Sequence, residues 1–328
     1  MKSILSVLIL IFGTHQVHSH PKHSKYPTDW RTDEDAYESY RPKGKRTYSH
    51  QPKSRILKVY DSVFLKTKLS EFSGALPVKI NGKEEYIKER ESQAGKKLAR
   101  AYLRDTLEGF GYKVREQAYS SKGTNLIADK EGDNPDQVVI VSAHMDSVGN
   151  AGADDDGSGV ISAVSIMGAL AKEKLKYSLR FVAFDEEEMG LVGSRAYAKS
   201  LDTNKEEVIG VFNLEMTAFN KRKDGAFHVI DCDRDDSVSL TKSIVRAVKD
   251  IKLPLVRTEA CTDRSDHASF WDIEVPAVVI SQNFFGGDSN PCYHRACDKV
   301  SDQLNFEYMS NITEAVGLSV KRAVMGTQ

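Results

Sequence analysis

Residues 138–160 constrain the fold more than any other stretch of this sequence. The stretch begins with four β-branched apolar residues, Val138 to Val141, and then changes to His144, Asp146 and three consecutive aspartates. A buried strand cannot hold such side chains at its centre without partners. An open α/β sheet can present them beyond the carboxyl ends of its strands, where its ligands bind. We therefore expect this stretch to supply one half of a metal site.

Strand and helix patterns alternate from residue 138 onward, after a helix, a second helix and two strands. Strands are predicted over about 112–119, 125–128, 138–143, 179–184, 208–214, 227–230 and 277–280. Helices are predicted from residue 56 and over about 92–107, 159–175, 191–201, 238–251 and 305–324. Such alternation is typical of a mixed, mostly parallel sheet covered on both faces. The predicted fold class is α/β, with three layers in the order helix, sheet, helix.

The N-terminus predicts an exported protein. Lys2 precedes a short apolar run over 4–12, and a cleavage site lies before His20, so residues 1–19 are interpreted as a signal peptide. Residues 20–54 are polar and contain scattered prolines, which favours a flexible linker or propeptide. The remaining residues, 55–328, form the predicted catalytic domain.

Charge and hydropathy exclude some partners. The formal net charge is -1, whereas a nucleic-acid-binding protein normally carries a basic excess. No apolar segment is long enough to span a bilayer, so stable membrane insertion is not expected. We expect a secreted or periplasmic monomer.

The four cysteines are Cys232, Cys261, Cys292 and Cys297. Export permits disulfides, and a bond between the last two would hold the intervening His294 in a short loop. Cys232 would then pair with Cys261, although the sequence alone leaves three pairings open. A site with four cysteine ligands to zinc is not expected, because no C-x-x-C pair is present.

Acidic and imidazole side chains follow predicted strands in four places. These are residues 144–156, 185–188, 213–215 and 290–294. Carboxylates gathered at one sheet edge would repel one another, and a divalent cation removes that conflict. Two histidines with several carboxylates suit zinc, with manganese or cobalt as alternatives.

Other interpretations of these segments are weaker. The aspartate triplet lacks the alternating acids of an EF-hand, and Gly157-Ser158-Gly159 lacks the Walker lysine and the spacing of a nucleotide loop. The run Glu186-Glu187-Glu188 taken alone is equally typical of a solvated helix start.

The motifs taken together resemble one enzyme family. In order they read H-x-D, G-A-D-D-D-G-S-G, E-E-x-G-L-x-G-S, N-L-E-M, S-D-H-A-S-F and Y-H-x-x-x-D. This series is similar to the secreted co-catalytic zinc exopeptidases of the bacterial leucyl aminopeptidase type. Relatives of that family include glutamate carboxypeptidase and glutaminyl cyclase. The resemblance runs from about residue 56 to the C-terminus and implies a zinc-exopeptidase-like fold.

The resemblance implies a set of metal ligands. Asp155 would bridge two Zn²⁺ ions, and the family has aspartate where this chain has Glu215, so one metal per chain remains an alternative to two. Asp146 would orient the ring of a ligand histidine, and Asp266 would support the metal shell. The implied ligands are His144, Asp155, Glu188, Glu215 and His294.

The resemblance also implies catalytic and substrate-binding residues. Glu187 would be the general base, and the hydroxyl of Tyr293 would donate to the developing oxyanion. The substrate pocket would include Phe284, Phe285 and His267.

The function that follows is a secreted metallo-aminopeptidase acting on peptides with a free N-terminus through a metal-activated water. One alternative is a glutaminyl cyclase type of acyltransferase. Another is a metallo-carboxypeptidase or dipeptidase, in which Arg195, Arg264 or Arg295 would bind the substrate carboxylate.

Overall fold

A computed structural model describes residues 60–201 and 205–327 of the chain. The predicted signal peptide, residues 1–19, and the predicted linker, residues 20–54, lie outside the described residues. The predicted catalytic domain is described except for residues 55–59, 202–204 and 328.

Helices in the described part of the chain cover both faces of the sheet. The helices are α1 (Ser62–Phe72), α2 (Gln93–Gly109), α3 (Gly159–Leu170), α4 (Val192–Ser200), α5 (Val238–Asp250), α6 (His267–Trp271) and α7 (Phe306–Met325). The helix starts follow local chemistry: the side chains of Asp61, Ser92 and Asn305 accept hydrogen bonds from the first turns of α1, α2 and α7. No helix in these residues is long and apolar enough to cross a bilayer.

Ten strands form a hairpin and one large sheet within the described residues. They are β1 (Val78–Ile80), β2 (Lys83–Glu85), β3 (Lys113–Ala118), β4 (Thr124–Lys130), β5 (Asn134–His144), β6 (Tyr177–Phe184), β7 (Glu207–Glu215), β8 (Ala226–Ile230), β9 (Val256–Thr258) and β10 (Ala277–Gln282). The large sheet has the order β3-β4-β6-β5-β7-β10-β8-β9, and β1 pairs with β2 separately. The four central strands are parallel, while β4 and β8 run antiparallel to their inner neighbours.

Two apolar layers lie against this sheet. Strand β5 shows the period-two pattern: Val139 and Val141 belong to the layer packed with α1, α2, α3, α5 and α7, whereas Val138 and Ile140 belong to the layer packed with α4 and α6. The predicted α/β fold, with helices on both sides of a mixed and mostly parallel sheet, is therefore confirmed.

The long predicted elements are present, and four short elements were missed. Helix α3 ends at Leu170 rather than near 175, because the polar run 172–174 has no apolar face to pack. Elements β1, β2, β9 and α6 have five residues or fewer, too few to show a period in sequence.

The parallel strands bring their carboxyl ends to one edge. His144 is the last residue of β5, Glu215 is the last residue of β7, and Asp185 directly follows β6. The sheet therefore gathers the polar segments that the sequence singled out.

Candidate metal centre

Five side chains predicted as metal ligands converge at this sheet edge. Nε2 of His144 lies 3.2 Å from Oδ1 of Asp155 and 3.4 Å from Oε1 of Glu215. Nε2 of His294 lies 3.2 Å from Oδ2 of Asp155 and 3.0 Å from Oε2 of Glu188. The two oxygens of Asp155 thus face two different histidines, which divides the cluster into two groups of donors sharing one carboxylate.

The acidic turn (Ala153–Ser158) decides which of the three aspartates faces the histidines. Asp156 is occupied by backbone donors: its carboxylate accepts hydrogen bonds from the amides of His144, Gly159 and Met216. Asp154 accepts hydrogen bonds from other parts of the chain, with the side-chain amides of Gln282 and Asn290 each 2.8 Å from its Oδ2. Asp155 is the aspartate of the three whose two oxygens face His144 and His294.

Two residues that the sequence reasoning did not single out hold the acidic turn. Asp298, the last position of the Y-H-x-x-x-D motif, accepts hydrogen bonds from the amides of Asp154 and Asp155 at 2.9 and 3.1 Å. Arg90 is fully buried and donates to the carbonyls of Ala151 and Gly152. The final aspartate of the motif was a usable signal for Asp298, whereas nothing in the sequence distinguishes Arg90 from a surface arginine.

Asp146 connects the two halves of the cluster. One of its oxygens lies 3.4 Å from Nδ1 of His144. The same carboxylate accepts hydrogen bonds from the amides of Glu187 and Glu188, each at 3.1 Å. Asp146 therefore holds the turn that carries the expected base and ligand beside the ring of His144.

Glu215 is held by a chain of polar side chains. The hydroxyl of Ser265 donates to its Oε2 at 2.7 Å. The amide of Asn213 donates to Ser265 at 2.8 Å, and the hydroxyl of Ser142 donates to Asn213 at 2.7 Å. Since Oε2 is engaged in this way, Oε1 is the oxygen that faces His144.

The cluster has the chemistry of a cation site. His144, Asp155 and Glu188 form one group with ligand atoms within 4.8 Å of one another, and His144, Asp156 and Glu215 form a second. Backbone amides already donate to both oxygens of Asp156, whereas Asp155 has an oxygen free of such donors. Among the described residues, Nε2 of His144, Oδ2 of Asp155 and Oε1 of Glu188 are buried without a well-formed hydrogen bond. Buried polar atoms normally have a partner, so these atoms fit a metal ion.

The charges of the cluster also indicate a cation site. Desolvation opposes protonation of His144, but Glu215 and Glu187 outweigh it and raise the pKa of the histidine well above its ordinary value. Burial, followed by the charge of nearby carboxylates, raises the pKa of Glu187 well above its ordinary range. A cluster with this excess of carboxylates requires a positive charge.

An open cleft adjoins the cluster. Glu215 and Ser265 lie at its polar side, and the aromatic side is formed by Phe284, Phe285 and Tyr293. The lining also contains the apolar side chains of Met216, Ile230 and Val279 and the polar side chains of Thr262, Arg264 and Ser281. A lining of mainly apolar and aromatic side chains with a few polar groups is typical of a small-molecule or side-chain pocket.

Two expected site residues, His267 and Asp266, are buried behind this surface, and only His267 was expected in the pocket wall. His267, expected in the pocket wall, is fully buried in α6: its ring packs edge-on against Trp271 at 4.4 Å, and its Nε2 lies 3.0 Å from the carbonyl of Thr262. These two contacts direct the imidazole into the interior rather than towards the cleft. Asp266 is buried beside the ligands, and burial raises its pKa to about 7.

Two disulfides frame the site. Cys292 pairs with Cys297 and encloses His294, while Cys232 pairs with Cys261. Of the three pairings left open, the structure has the one preferred from sequence. His294 has a φ of 55°, a region that non-glycine residues rarely adopt and that recurs at functional sites.

Comparison with known proteins identifies the family. The profile of peptidase family M28 matches residues 125–319, more than half of the chain and every ligand candidate. The chain belongs to peptidase family M28. Leupeptin-inactivating enzyme 1 of Streptomyces exfoliatus is 28% identical over 258 residues, which cover 72% of this chain and 57% of that protein. The chain thus spans little more than half of this M28 relative.

Solved structures share the M28 fold. The LapA aminopeptidase of Legionella pneumophila aligns with a TM-score of 0.69 and 22% identity, covering 86% of this chain and 78% of that one. A glutaminyl cyclase of Porphyromonas gingivalis aligns with a TM-score of 0.63 and 19% identity, covering 81% of this chain and 98% of that one. At these identities the likeness concerns the fold alone.

Proposed function

We propose that this M28 chain is a secreted, monomeric metallo-aminopeptidase that removes N-terminal residues from peptides. One observation carries the proposal: Asp155 directs one oxygen to His144 and the other to His294, beside the half-buried Glu187. This is an arrangement for two cations and a base next to a cleft lined by apolar and aromatic side chains.

Zinc is the cation that the donor set suits best, because imidazole and carboxylate together are its usual ligands outside thiolate sites. His144 and Glu215 would hold one ion, and His294 and Glu188 would hold the other. Asp155 would contribute to both sites. Bound there, zinc would acidify a water molecule and polarise the scissile carbonyl.

The protein's own groups would move the proton and position the substrate. Glu187 is held by the hydrogen bond from its amide to Asp146, and its raised pKa suits a group that accepts a proton and returns it to the leaving amine. The hydroxyl of Tyr293 would donate to the oxyanion, since its ring stacks on His294 at 3.8 Å.

The charge of the cleft favours an amine over a carboxylate as the group recognised. Glu215 lies in the cleft lining, and Glu187 and Glu188 are close by, so a protonated N-terminus is attracted to this end. The apolar and aromatic lining would receive the first side chain of the peptide.

A dipeptidase is the second candidate, because Arg264 also lines the cleft and could bind a substrate carboxylate. The other two arginines considered from sequence give less support: Arg195 donates to the carbonyl of Gly190, and Arg295 is exposed outside the cleft lining.

Secretion is supported by the two disulfides, which persist in oxidising compartments, and by the apolar N-terminal segment of the sequence. Cell fractionation together with N-terminal sequencing of the mature protein tests it. Sedimentation velocity tests the monomer.

The enzymatic proposal is tested with four substrates, each with and without a chelator. They are leucyl-4-nitroanilide, its N-acetylated form, the dipeptide Leu-Leu and an N-terminal glutamine peptide. Cleavage of leucyl-4-nitroanilide alone or with Leu-Leu, lost with chelator, is expected. Cleavage of the acetylated substrate, of the dipeptide alone, or cyclisation of glutamine would contradict the proposal.

The Glu187→Gln variant tests the base. General acid–base catalysis typically contributes about 10²–10⁴-fold, so turnover should fall by about 10³-fold while zinc content stays unchanged. Turnover within tenfold of the wild type would exclude Glu187 as the base.

A further inference from the structure

A buried histidine outside the metal centre contacts the aromatic side of the cleft. His228 lies in β8 and is fully buried. The backbone amide of Phe285 donates to its Nε2 at 3.1 Å. Phe285 lines the cleft in the loop that follows β10, so one hydrogen bond joins an interior strand to the substrate-facing surface.

The contacts of His228 determine its tautomer. A backbone amide can only donate, so Nε2 must carry the lone pair and Nδ1 the proton. Nδ1 has acceptors in Thr258, whose carbonyl oxygen lies at 3.2 Å and whose hydroxyl oxygen lies at 3.0 Å. Burial lowers the pKa of His228 to about 4, which keeps the ring neutral and Nε2 available as an acceptor.

The same histidine begins a series of ring contacts that ends at the metal centre. The ring of His228 lies 5.7 Å from that of Phe285, which lies 5.2 Å from Phe284. Phe284 lies 5.1 Å from Tyr293, and Tyr293 stacks on His294. The backbone of Phe285 therefore sets the position of an aromatic surface that continues to the expected ligand.

Neighbouring polar contacts brace the same loop. The hydroxyl of Thr258 is 3.0 Å from Oδ1 of Asn283, and the guanidinium of Arg222 donates to the carbonyl of Gly286 at 2.9 Å. These contacts hold Asn283 and Gly286, while the hydrogen bond to His228 holds Phe285 between them.

We propose that His228 is a positioning residue for substrate selection, which holds Phe285 and Phe284 as the wall that receives the first side chain of the peptide. This inference rests on the proposed aminopeptidase function for its kinetic consequence. It does not require His228 to touch the substrate or the metal.

Two isosteric substitutions separate the contacts of His228. His228→Gln places an oxygen near the position of Nε2 and retains an acceptor for Phe285. His228→Asn places its amide near the position of Nδ1 and retains the contact with Thr258 alone. Tyr112→Phe is a matched control, because it removes one buried hydrogen bond, to the carbonyl of Met167, in the core away from the cleft.

The experiment measures kcat and KM of the full zinc-loaded chain on leucyl- and alanyl-4-nitroanilide, and hydrogen–deuterium exchange of the Phe285 amide. In His228→Asn the leucyl-over-alanyl ratio of kcat/KM should fall about fivefold, mainly through KM for the leucyl substrate, as a lost hydrogen bond of ordinary strength predicts. Phe285 should exchange faster. His228→Gln and Tyr112→Phe should stay within about twofold of the wild-type ratio.

Two results would overturn the inference. One is a His228→Asn variant with the wild-type ratio and wild-type protection of Phe285, and the other is a His228→Gln variant that loses as much selectivity as His228→Asn. If the wild type cleaves neither anilide, the aminopeptidase proposal fails. Hydrogen–deuterium exchange of the Phe285 amide alone then decides whether His228 holds Phe285. Faster exchange of Phe285 in His228→Asn but not in His228→Gln then supports it, and equal exchange refutes it.

Discussion

Replacing Arg90 with methionine should destabilise the protein far more than an ordinary arginine substitution. The side chain of Arg90 is fully buried and packs on the ring of Phe72 at 4.6 Å. Its guanidinium donates to the carbonyls of Met145, Ala151 and Gly152, which lie between β5 and the acidic turn. Methionine retains the apolar packing but none of these hydrogen bonds.

The magnitude follows from the groups left behind. The carbonyl of Gly152 also accepts a hydrogen bond from the amide of Gly157, so the carbonyls of Met145 and Ala151 are the ones that lose most. Each unsatisfied buried acceptor costs about 1–3 kcal/mol. Loss of a buried cation among aspartates adds to this, and the expected decrease in the free energy of unfolding is about 4 kcal/mol without metal.

Urea denaturation of the chelated protein, followed by circular dichroism, measures this difference. Arg104→Met is the matched control, because Arg104 is a partly exposed arginine paired with Glu116 at the surface, and its loss should cost less than about 1 kcal/mol. Saturating zinc should restore part of the loss in Arg90→Met, since a bound cation neutralises the same carboxylates. A decrease below about 1 kcal/mol in chelator would refute the reasoning.

Three further predictions concern the metal and the response to acid. Ser265→Ala should weaken binding of one zinc by about 10-fold or more, because Glu215 loses the hydrogen bond to its Oε2; isothermal titration measures it. Asp155→Asn should reduce the zinc that remains bound after gel filtration to below one ion per chain, measured by atomic emission, since both groups of ligands share this carboxylate. Burial lowers the pKa of His228 to about 4, so protonation of the unfolded chain destabilises the wild type as the pH falls from about 6.5 towards 4. The stability of the wild type relative to His228→Gln should therefore fall by about 3 kcal/mol between pH 7 and 4 in urea titrations.

Each of these has a result that contradicts it. Unchanged affinity for both zinc ions in Ser265→Ala would show that Glu215 is not held as a ligand through Oε2. Two ions retained in Asp155→Asn would exclude Asp155 as the shared carboxylate. A stability difference that is independent of pH would show that His228 titrates alike in the folded and unfolded chain.

Local pattern was sufficient to predict the sheet and the polar ends of its strands, whereas the individual ligands were implied by the resemblance to the exopeptidase family. A strand that changes from valine and isoleucine to His144 and Asp146 has to leave the sheet at that point, because buried strands exclude unpartnered polar side chains. The same reasoning applied to Asp185 after β6 and Glu215 at the end of β7. Parallel strands then place these ends together, whatever the details of packing.

Contacts between segments distant in sequence were beyond this reasoning. The three adjacent aspartates are chemically identical in sequence, and only the donors that reach Asp154 and Asp156 from elsewhere leave Asp155 to face the histidines. Arg90 and Asp298, more than two hundred residues apart, meet at the same turn.

The sequence by itself determined that a chain of this order of strands, helices and acidic segments forms an α/β sheet with a metal-binding edge, because hydrophobic period and polar strand ends are local properties. Only the tertiary structure decided that His267 packs inward on Trp271 and that His228, not singled out in sequence, reaches Phe285 behind the cleft. The direction of a side chain on a short or interior element depends on what packs against it, and that information lies elsewhere in the chain. Residues 138–160 thus specify half of a metal site, and long-range hydrogen bonds select which of its carboxylates is presented.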